Sequence, residues 1–145
     1  TGKLCLDQSG FKTEISDDIK KVVWHKIFVN STLNPLTALF NCKIKVCYEN
    51  KNIWYLIEAI TKEAIEIAKL DGCEFDYEEV LEDIKNTIFN VGKGYTSMYQ
   101  DVVNKRFTEI EKINGQIVNL AYKYNVSAPY NEFVLNAIKA IEKLY

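Results

Sequence analysis

The segment at residues 24–40, WHKIFVNSTLNPLTALF, constrains the fold more than any other part of this sequence. Its apolar residues occur on nearly every side of the helix that their spacing predicts, which is typical of a buried helix. Lys26, Asn30 and Asn34 recur every four residues, so at about 100° per residue they follow one face of that helix. A buried amide without a partner costs about 1 to 3 kcal/mol, and an unpaired ammonium costs more. We therefore expect either the fold or a bound ligand to satisfy these three groups.

The rest of the chain is also helical in pattern, and it shows no convincing strand. Apolar residues recur at three- and four-residue spacing in further segments, at 53–70, 77–91 and 108–125, and a last helix is predicted to begin at Pro129. Residues 1–13 carry two glycines and weak alternation, as in a tail or linker. The sequence predicts an all-α protein, with a single domain of five to six helices over residues 14–145.

Several local signals predict where these helices begin and bend. Ser16 is a predicted N-cap of the first helix, and the boxes 97–100 and 108–111 fit a Ser or Thr cap followed three residues later by Gln or Glu. Pro35 removes one backbone donor inside the first helix and predicts a kink. We expect the carbonyls freed there to help form a site near Asn30 and Asn34.

Composition and charge exclude several classes of function. The chain has 145 residues, of which 48% are hydrophobic and 26% charged, as in an ordinary globular domain. Its net charge is −2 and it has no run of Lys or Arg, so it lacks the basic footprint of a nucleic-acid-binding protein. No uncharged apolar run approaches the roughly 18 residues of a membrane span, and the start has no signal-peptide pattern. We expect neither a nucleic-acid partner nor a membrane partner.

The cysteines give no sign of a metal site. Cys5, Cys42, Cys47 and Cys73 show no CxxC spacing, and the single histidine, His25, lies far from any second one. We therefore predict that no metal is bound. We interpret the four cysteines as reduced thiols of a cytoplasmic protein.

Three blocks together carry a family resemblance: W-x-K-x-x-x-N-x-x-x-N-P-L-T-A-L at 24–39, SMYQD at 97–101 and RFTEIEKING at 106–115. In this order they resemble the C-terminal domain of ketopantoate reductase (2-dehydropantoate 2-reductase), from about residue 15 to the end. The resemblance implies a fold like the C-terminal domain of 6-phosphogluconate-dehydrogenase-type reductases. It also implies a cytoplasmic, NADPH-dependent enzyme that reduces 2-dehydropantoate to pantoate in pantothenate biosynthesis.

The resemblance assigns roles to five residues. Lys26 matches the family's catalytic lysine, the proton donor to the substrate ketone. Asn30, Asn34 and Ser97 match residues that bind the substrate, with the serine on its carboxylate. Glu109 matches a glutamate that contacts both the nicotinamide cofactor and the substrate.

The residues by themselves leave simpler interpretations open. Lys26 could be a lysine at the rim of the core whose stem is buried and whose ammonium reaches water. Asn30 and Asn34 could tie down the kinked backbone, Ser97 could serve only as a helix cap, and Glu109 could belong to a solvated polar face.

Three departures from the family pattern concern the substrate. Ile44-Lys45 stands where the family has an Asn-Gly pair whose asparagine touches substrate, Thr96 replaces a serine and Tyr99 replaces a leucine. Alternatives therefore stay open: a reductase of another 2-keto acid, an opine-type dehydrogenase, or a helical module that only mediates assembly.

The expected partners are a small 2-keto acid and a nucleotide-binding domain of the same enzyme. The family binds NADPH mainly through that domain, whose G-x-G-x-x-G motif is absent from this chain. We interpret residues 1–13 as the last piece of that domain. A homodimer is kept as an open alternative.

Overall fold

Seven α-helices make up the computed structural model, which describes the backbone of residues 10–145 and the side chains of residues 18–145. They are α1 (Gly10–Phe40), α2 (Val46–Glu49), α3 (Lys51–Leu70), α4 (Tyr77–Val91), α5 (Ser97–Val103), α6 (Ile110–Lys123) and α7 (Pro129–Glu142). No strand occurs within residues 10–145, so the predicted all-α class is confirmed. The helices number seven rather than five to six, since the segment predicted as a loop after α1 contains the short helix α2.

Helix starts agree with the sequence where a cap lies next to a clear apolar pattern. Asp76 caps α4, its side chain accepting a hydrogen bond from the Glu79 N–H at 3.0 Å, and Pro129 is the first residue of α7. The predicted start after Ser16 is wrong, because α1 already begins at Gly10. The part of the predicted tail before Gly10 lies outside the described residues.

Helix α1 forms the centre of the domain. It contacts every other helix, and Trp24, Phe28, Leu33 and Leu36 bury their side chains in the shared core. Each such side chain stabilises the fold by about 1.5 to 3 kcal/mol through its burial. The prediction of a helix buried on nearly all sides is nevertheless wrong near its start, where Val22, Val23 and Lys26 are exposed.

Helix α1 continues through Pro35, and a neighbouring helix compensates for the missing backbone donor. Pro35 has no N–H to offer the carbonyl of Ser31, four residues earlier. The side-chain amide of Asn114 on α6 donates to that carbonyl at 3.1 Å and to the side-chain oxygen of Asn131 at 3.0 Å. Ser31, Asn114 and Asn131 are all fully buried. The carbonyl that Pro35 frees therefore serves the packing of the domain rather than a ligand site.

Cys42 and Cys47 carry free thiols, as predicted, and burial raises the pKa of the Cys47 thiol to about 12. Cys5 lies outside the described residues.

Among the helices that the structure describes, none is long and apolar enough to cross a membrane. Within the same residues, no cluster of three His, Cys, Asp or Glu side chains could hold a metal ion.

Candidate functional site

A cavity of about 300 Å³ opens where α1, α5 and the start of α6 meet. Its lining consists of seven residues: Asn34, Ser97, Met98, Asp101, Phe107, Glu109 and Ile113. Three of the five residues assigned from the sequence, Asn34, Ser97 and Glu109, thus share one cavity. Asn34 lies more than sixty residues before Ser97 and Glu109 in the chain.

Lys26 and Asn30 lie outside the cavity lining, on the same face of α1 as Asn34. At about 1.5 Å of rise per residue they are about 12 and 6 Å from Asn34 along the helix axis. Lys26 is exposed and Asn30 is half-buried. The polar face of α1 therefore runs from the open surface into the cavity.

The five assigned side chains are alike in their hydrogen bonding. Among the residues that the structure describes, none of them has a hydrogen-bonding or ion-pair partner, in contrast to the buried polar groups nearby: Ser31, Thr32, Thr37, Asn114 and Asn131. Asn30 and Asn34 therefore do not tie down the backbone of α1. Their amides are available to a ligand.

Ser97 is not the helix cap that the sequence predicted. The side chain of Thr96 accepts the hydrogen bond from the Tyr99 N–H at 3.1 Å, and Ser97 is the first residue of α5. Thr96 takes the cap position because its backbone is extended, with φ −76° and ψ 162°. This assignment leaves the Ser97 hydroxyl free for another acceptor or donor.

A buried hydrogen bond holds the start of α5 against α1. The hydroxyls of Thr37 and Thr96 are 2.6 Å apart, and both residues are buried. The Thr37 hydroxyl also lies 2.7 Å from the Leu33 carbonyl, in the helix turn that carries Asn34. The bond thus connects the turn of Asn34 to the residue directly before Ser97.

Glu109 lies at the N-cap position directly before α6, but its side chain makes no capping hydrogen bond. The hydroxyl of Thr108 accepts a hydrogen bond from the Ile110 N–H at 3.2 Å. Glu111 does not complete the predicted capping box, because its carboxylate pairs with Lys139 at 2.6 Å instead. The Glu109 carboxylate is exposed at the cavity.

Four lining residues were not assigned from the sequence, and two of them, Asp101 and Phe107, add a charge and an exposed ring to the cavity. Asp101 is half-buried, and its carboxylate accepts a hydrogen bond from Arg106 Nε at 3.1 Å. Phe107 places an apolar ring, 78% exposed, at the cavity. Both lie inside the blocks 97–101 and 106–115 that carry the family resemblance, and this position was the signal that could have identified them.

The loop after α1 differs from the family pattern in a way that the structure explains. Ile44 is buried, and its N–H donates to the Gly94 carbonyl at 3.0 Å. The Lys45 N–H donates to the Gly92 carbonyl at 2.9 Å. Where the resemblance leads us to expect an asparagine on the substrate, this chain has a side chain that cannot form a hydrogen bond.

The outer face of α1 next to Lys26 is apolar and exposed. Ile19, Val22 and Val23 expose 57%, 58% and 48% of their surface. They lie seven, four and three residues before Lys26 and therefore share its side of the helix. We call these three residues the apolar rim.

A larger cavity, of about 540 Å³, lies between α2 and the end of α4. It contains none of the five assigned residues. We favour the smaller cavity as the candidate site, because unpaired polar side chains line it and continue along α1, and size alone does not specify chemistry.

The known proteins that this chain matches belong to the family that its motifs resemble. Residues 18–142 match the family described as "Ketopantoate reductase PanE/ApbA C terminal". A 2-dehydropantoate 2-reductase of Lactococcus lactis subsp. lactis is 32% identical over 143 residues, covering 96% of this chain and 46% of that protein. One of Pyrococcus abyssi is 33% identical over 139 residues, again covering 96% of this chain and 46% of the relative. The chain thus spans about half the length of these curated relatives.

Solved structures give the same fold. D-mandelate dehydrogenase in a ternary structure with NADH and anilino(oxo)acetate is 31% identical, with a TM-score of 0.83 over 88% of this chain and 42% of that chain. Its complex with NADH gives a TM-score of 0.84 at 30% identity, over 88% of this chain and 44% of that chain. On the match over residues 18–142, this chain belongs to the ketopantoate reductase family and carries the family's C-terminal domain.

Proposed function

We propose that this chain is the substrate-binding half of a cytoplasmic, NADPH-dependent reductase that converts 2-dehydropantoate to pantoate in pantothenate biosynthesis. One observation carries the proposal above the others. Lys26, Asn30 and Asn34 have no partner among the described residues, and their face of α1 leads to the cavity lined by Ser97 and Glu109. Unpaired polar groups that converge on one cavity are typical of a ligand site.

Lys26 acts as the proton donor in this proposal. Reduction of a ketone builds negative charge on its oxygen, and an ammonium stabilises that charge and can transfer a proton to it. Lys26 is exposed in this domain, so its ammonium is free to reach a substrate held along the polar face of α1. Packing of a second domain over it would exclude water and strengthen the interaction.

Ser97, Asn34 and Asn30 bind the substrate. The Ser97 hydroxyl and the Asn34 amide are neutral donors that suit a carboxylate, and Asn30 reaches the hydroxyl end. The charge of Asp101 in the same cavity is countered by Arg106 at 3.1 Å. The lining therefore keeps one unpaired carboxylate, that of Glu109.

Glu109 is the residue of this chain that fits the cofactor. When bound, the nicotinamide supplies the hydride that reduces the ketone. An exposed carboxylate without a partner can accept hydrogen bonds from ribose and substrate hydroxyls, and Glu109 has this character. The remainder of the cofactor would be held by the nucleotide-binding domain of the same enzyme.

The apolar rim supports contact with that nucleotide-binding domain. An exposed apolar helix face beside a charged residue is expected where one domain packs on another. Ile19, Val22 and Val23 border Lys26, so a domain packed on the rim would bring its bound cofactor next to the proton donor. This arrangement favours a catalytic half over a module that only mediates assembly.

A second candidate function is reduction of a 2-keto acid with a larger apolar group. It is favoured by the similarity to D-mandelate dehydrogenase, whose solved structure contains anilino(oxo)acetate. The apolar lining residues Met98, Phe107 and Ile113 suit such a group, and Ile44 replaces the expected substrate-binding asparagine.

A substrate panel on the intact enzyme that contains this chain tests both candidates. We expect the highest kcat/KM with 2-dehydropantoate and NADPH, measured by nicotinamide absorbance against phenylglyoxylate and pyruvate, each also with NADH. A higher value with phenylglyoxylate would support the second candidate. Turnover of none of these acids would contradict both and favour the assembly module. The isolated chain should be inactive, since its hydride donor would have no binding domain.

A further inference from the structure

The segment that joins α5 to α6, residues 104–109, forms one wall of the candidate site. It carries Phe107 and Glu109 and lies between the two helices without regular structure of its own. Lys105 has a positive φ of 57°, and Phe107 is 78% exposed. A segment of this kind needs contacts from elsewhere in the domain to fix the direction of its side chains.

Glu142, the last residue of α7, supplies one such contact. Its Oε2 atom accepts hydrogen bonds from the Thr108 N–H at 2.7 Å and from the Thr108 hydroxyl at 2.6 Å. The Thr108 hydroxyl oxygen in turn accepts from the Ile110 N–H at 3.2 Å. The residues on both sides of Glu109 are therefore held through one carboxylate, and charge-assisted bonds of this length are among the stronger ones in proteins.

Tyr145 supplies a second contact on the same segment. Its hydroxyl donates to the Arg106 carbonyl at 2.8 Å, and its ring centroid is 6.0 Å from that of Phe107. Burial, followed by the carboxylates of Glu142 and Asp101, raises the pKa of Tyr145. The phenol therefore keeps the proton that it donates at neutral pH.

We propose that Glu142 and Tyr145 are positioning residues of the active site, which fix the 104–109 segment so that Glu109 points into the cavity. The proposal rests on the function proposed above, because it takes Glu109 to act on cofactor and substrate. The contacts join residues 34 and 39 positions apart in the chain. Glu142 does not line the cavity and forms no hydrogen bond or ion pair with the five assigned residues.

The test compares variants of the intact enzyme. Glu142→Ala should lower kcat/KM about tenfold, mainly through kcat, because misplacing a reacting group by about 1 Å can cost about a hundredfold. Glu142→Gln should restore most of the loss, since its amide oxygen can accept both bonds from Thr108. Tyr145→Phe should have a smaller effect, because the ring remains beside Phe107.

Glu132→Ala is the matched control. Glu132 lies on the same helix, and its carboxylate accepts an equally short hydrogen bond, 2.6 Å, from the Tyr122 hydroxyl, away from the cavity. Its kcat/KM should equal that of wild type. In a Glu109→Ala background, Glu142→Ala should lower kcat/KM no further, because a residue that acts through Glu109 has nothing left to position.

Hydrogen exchange separates failure of this proposal from failure of the proposed function. In Glu142→Ala the amides of residues 104–110 should exchange faster, while Glu142→Gln and Glu132→Ala should leave them as in wild type. A wild-type enzyme that reduces none of the 2-keto acids would refute the proposed function. Unchanged hydrogen exchange in Glu142→Ala would overturn the positioning role of Glu142. In an active enzyme, a kcat/KM of Glu142→Ala within twofold of wild type would also overturn that role. So would a further loss of kcat/KM when Glu142→Ala is added to Glu109→Ala.

Discussion

Two neighbouring stretches of helix α1, residues 26–30 and 31–37, differ in how their polar side chains are satisfied. In the second stretch, Ser31, Thr32 and Thr37 are fully buried, and each has a hydrogen-bond partner. In the first stretch, Lys26 and Asn30 have no partner among the described residues.

The difference separates groups that hold the fold from groups that are free for a ligand. An unpaired buried polar group is costly, so the fold satisfies the fully buried polar groups of the second stretch. In the first stretch, water can solvate the unpaired side chains until a ligand or a second domain binds there. Asn34 belongs to the second stretch by position, but it is half-buried and unpaired at the cavity.

The largest expected effect comes from the first stretch, residues 26–30. Lys26→Ala in the intact enzyme should lower kcat on the order of 100- to 1000-fold, with a smaller rise in KM, because the ammonium acts on charge that develops in the transition state. The melting temperature should change little, since Lys26 is exposed. Lys21→Ala, an exposed lysine of the same helix, is the control. A kcat within threefold of wild type would show that Lys26 has no catalytic role.

A loss of stability is expected instead in the second stretch, residues 31–37. Asn114→Ala should destabilise the protein by about 1 to 3 kcal/mol, because it leaves the Ser31 carbonyl and Asn131 without their donor. Urea unfolding measures this change. In a Pro35→Ala background the loss should be smaller, because residue 35 then offers an N–H to Ser31. Equal losses in both backgrounds would mean that the Asn114 bond to Ser31 contributes nothing.

A matched pair of threonines tests the hydrogen bond that holds the start of α5 against α1. Thr37→Val removes the hydroxyl that bonds Thr96 and should cost about 1 kcal/mol of stability, together with a few-fold loss of kcat/KM as the start of α5 shifts. Thr32→Val removes bonds to carbonyls of its own helix only, those of Phe28 and Val29. Its kcat/KM should be that of wild type. A similar loss of activity in both variants would contradict the positioning of Ser97 through Thr37.

The smallest effect concerns a paired carboxylate two residues from the unpaired Glu109. The hydrogen bond and charge of Lys139 lower the pKa of Glu111 below its ordinary value of 4.5. A lowered pKa means that the contribution to stability is present above the unfolded pKa and is lost as pH falls through the folded one. Lys139→Met should raise the pKa of Glu111 in an NMR titration. The contribution is small because the pair is exposed, and an unchanged titration would show that the bond does not persist in solution.

The sequence by itself determined the helical class and much that depends on near neighbours. Asp76 and Pro129 marked their helix starts, and the four-residue spacing put Lys26, Asn30 and Asn34 on one face. These features depend on residues within one or two turns, so periodicity and capping preferences suffice to predict them. The family resemblance came from motif residues in order, which is likewise a property of the linear chain.

Tertiary structure decided the rest. Whether Thr96 or Ser97 caps α5 depended on the backbone angles that packing against α1 imposes, and the exposure of Val22 and Val23 depended on which face of α1 the other helices cover. The meeting of Ser97 and Glu109 with Asn34 joins positions that are more than sixty residues apart in sequence from Asn34. Such contacts form because separate helices bury their apolar faces together, and a one-dimensional pattern does not record which faces meet.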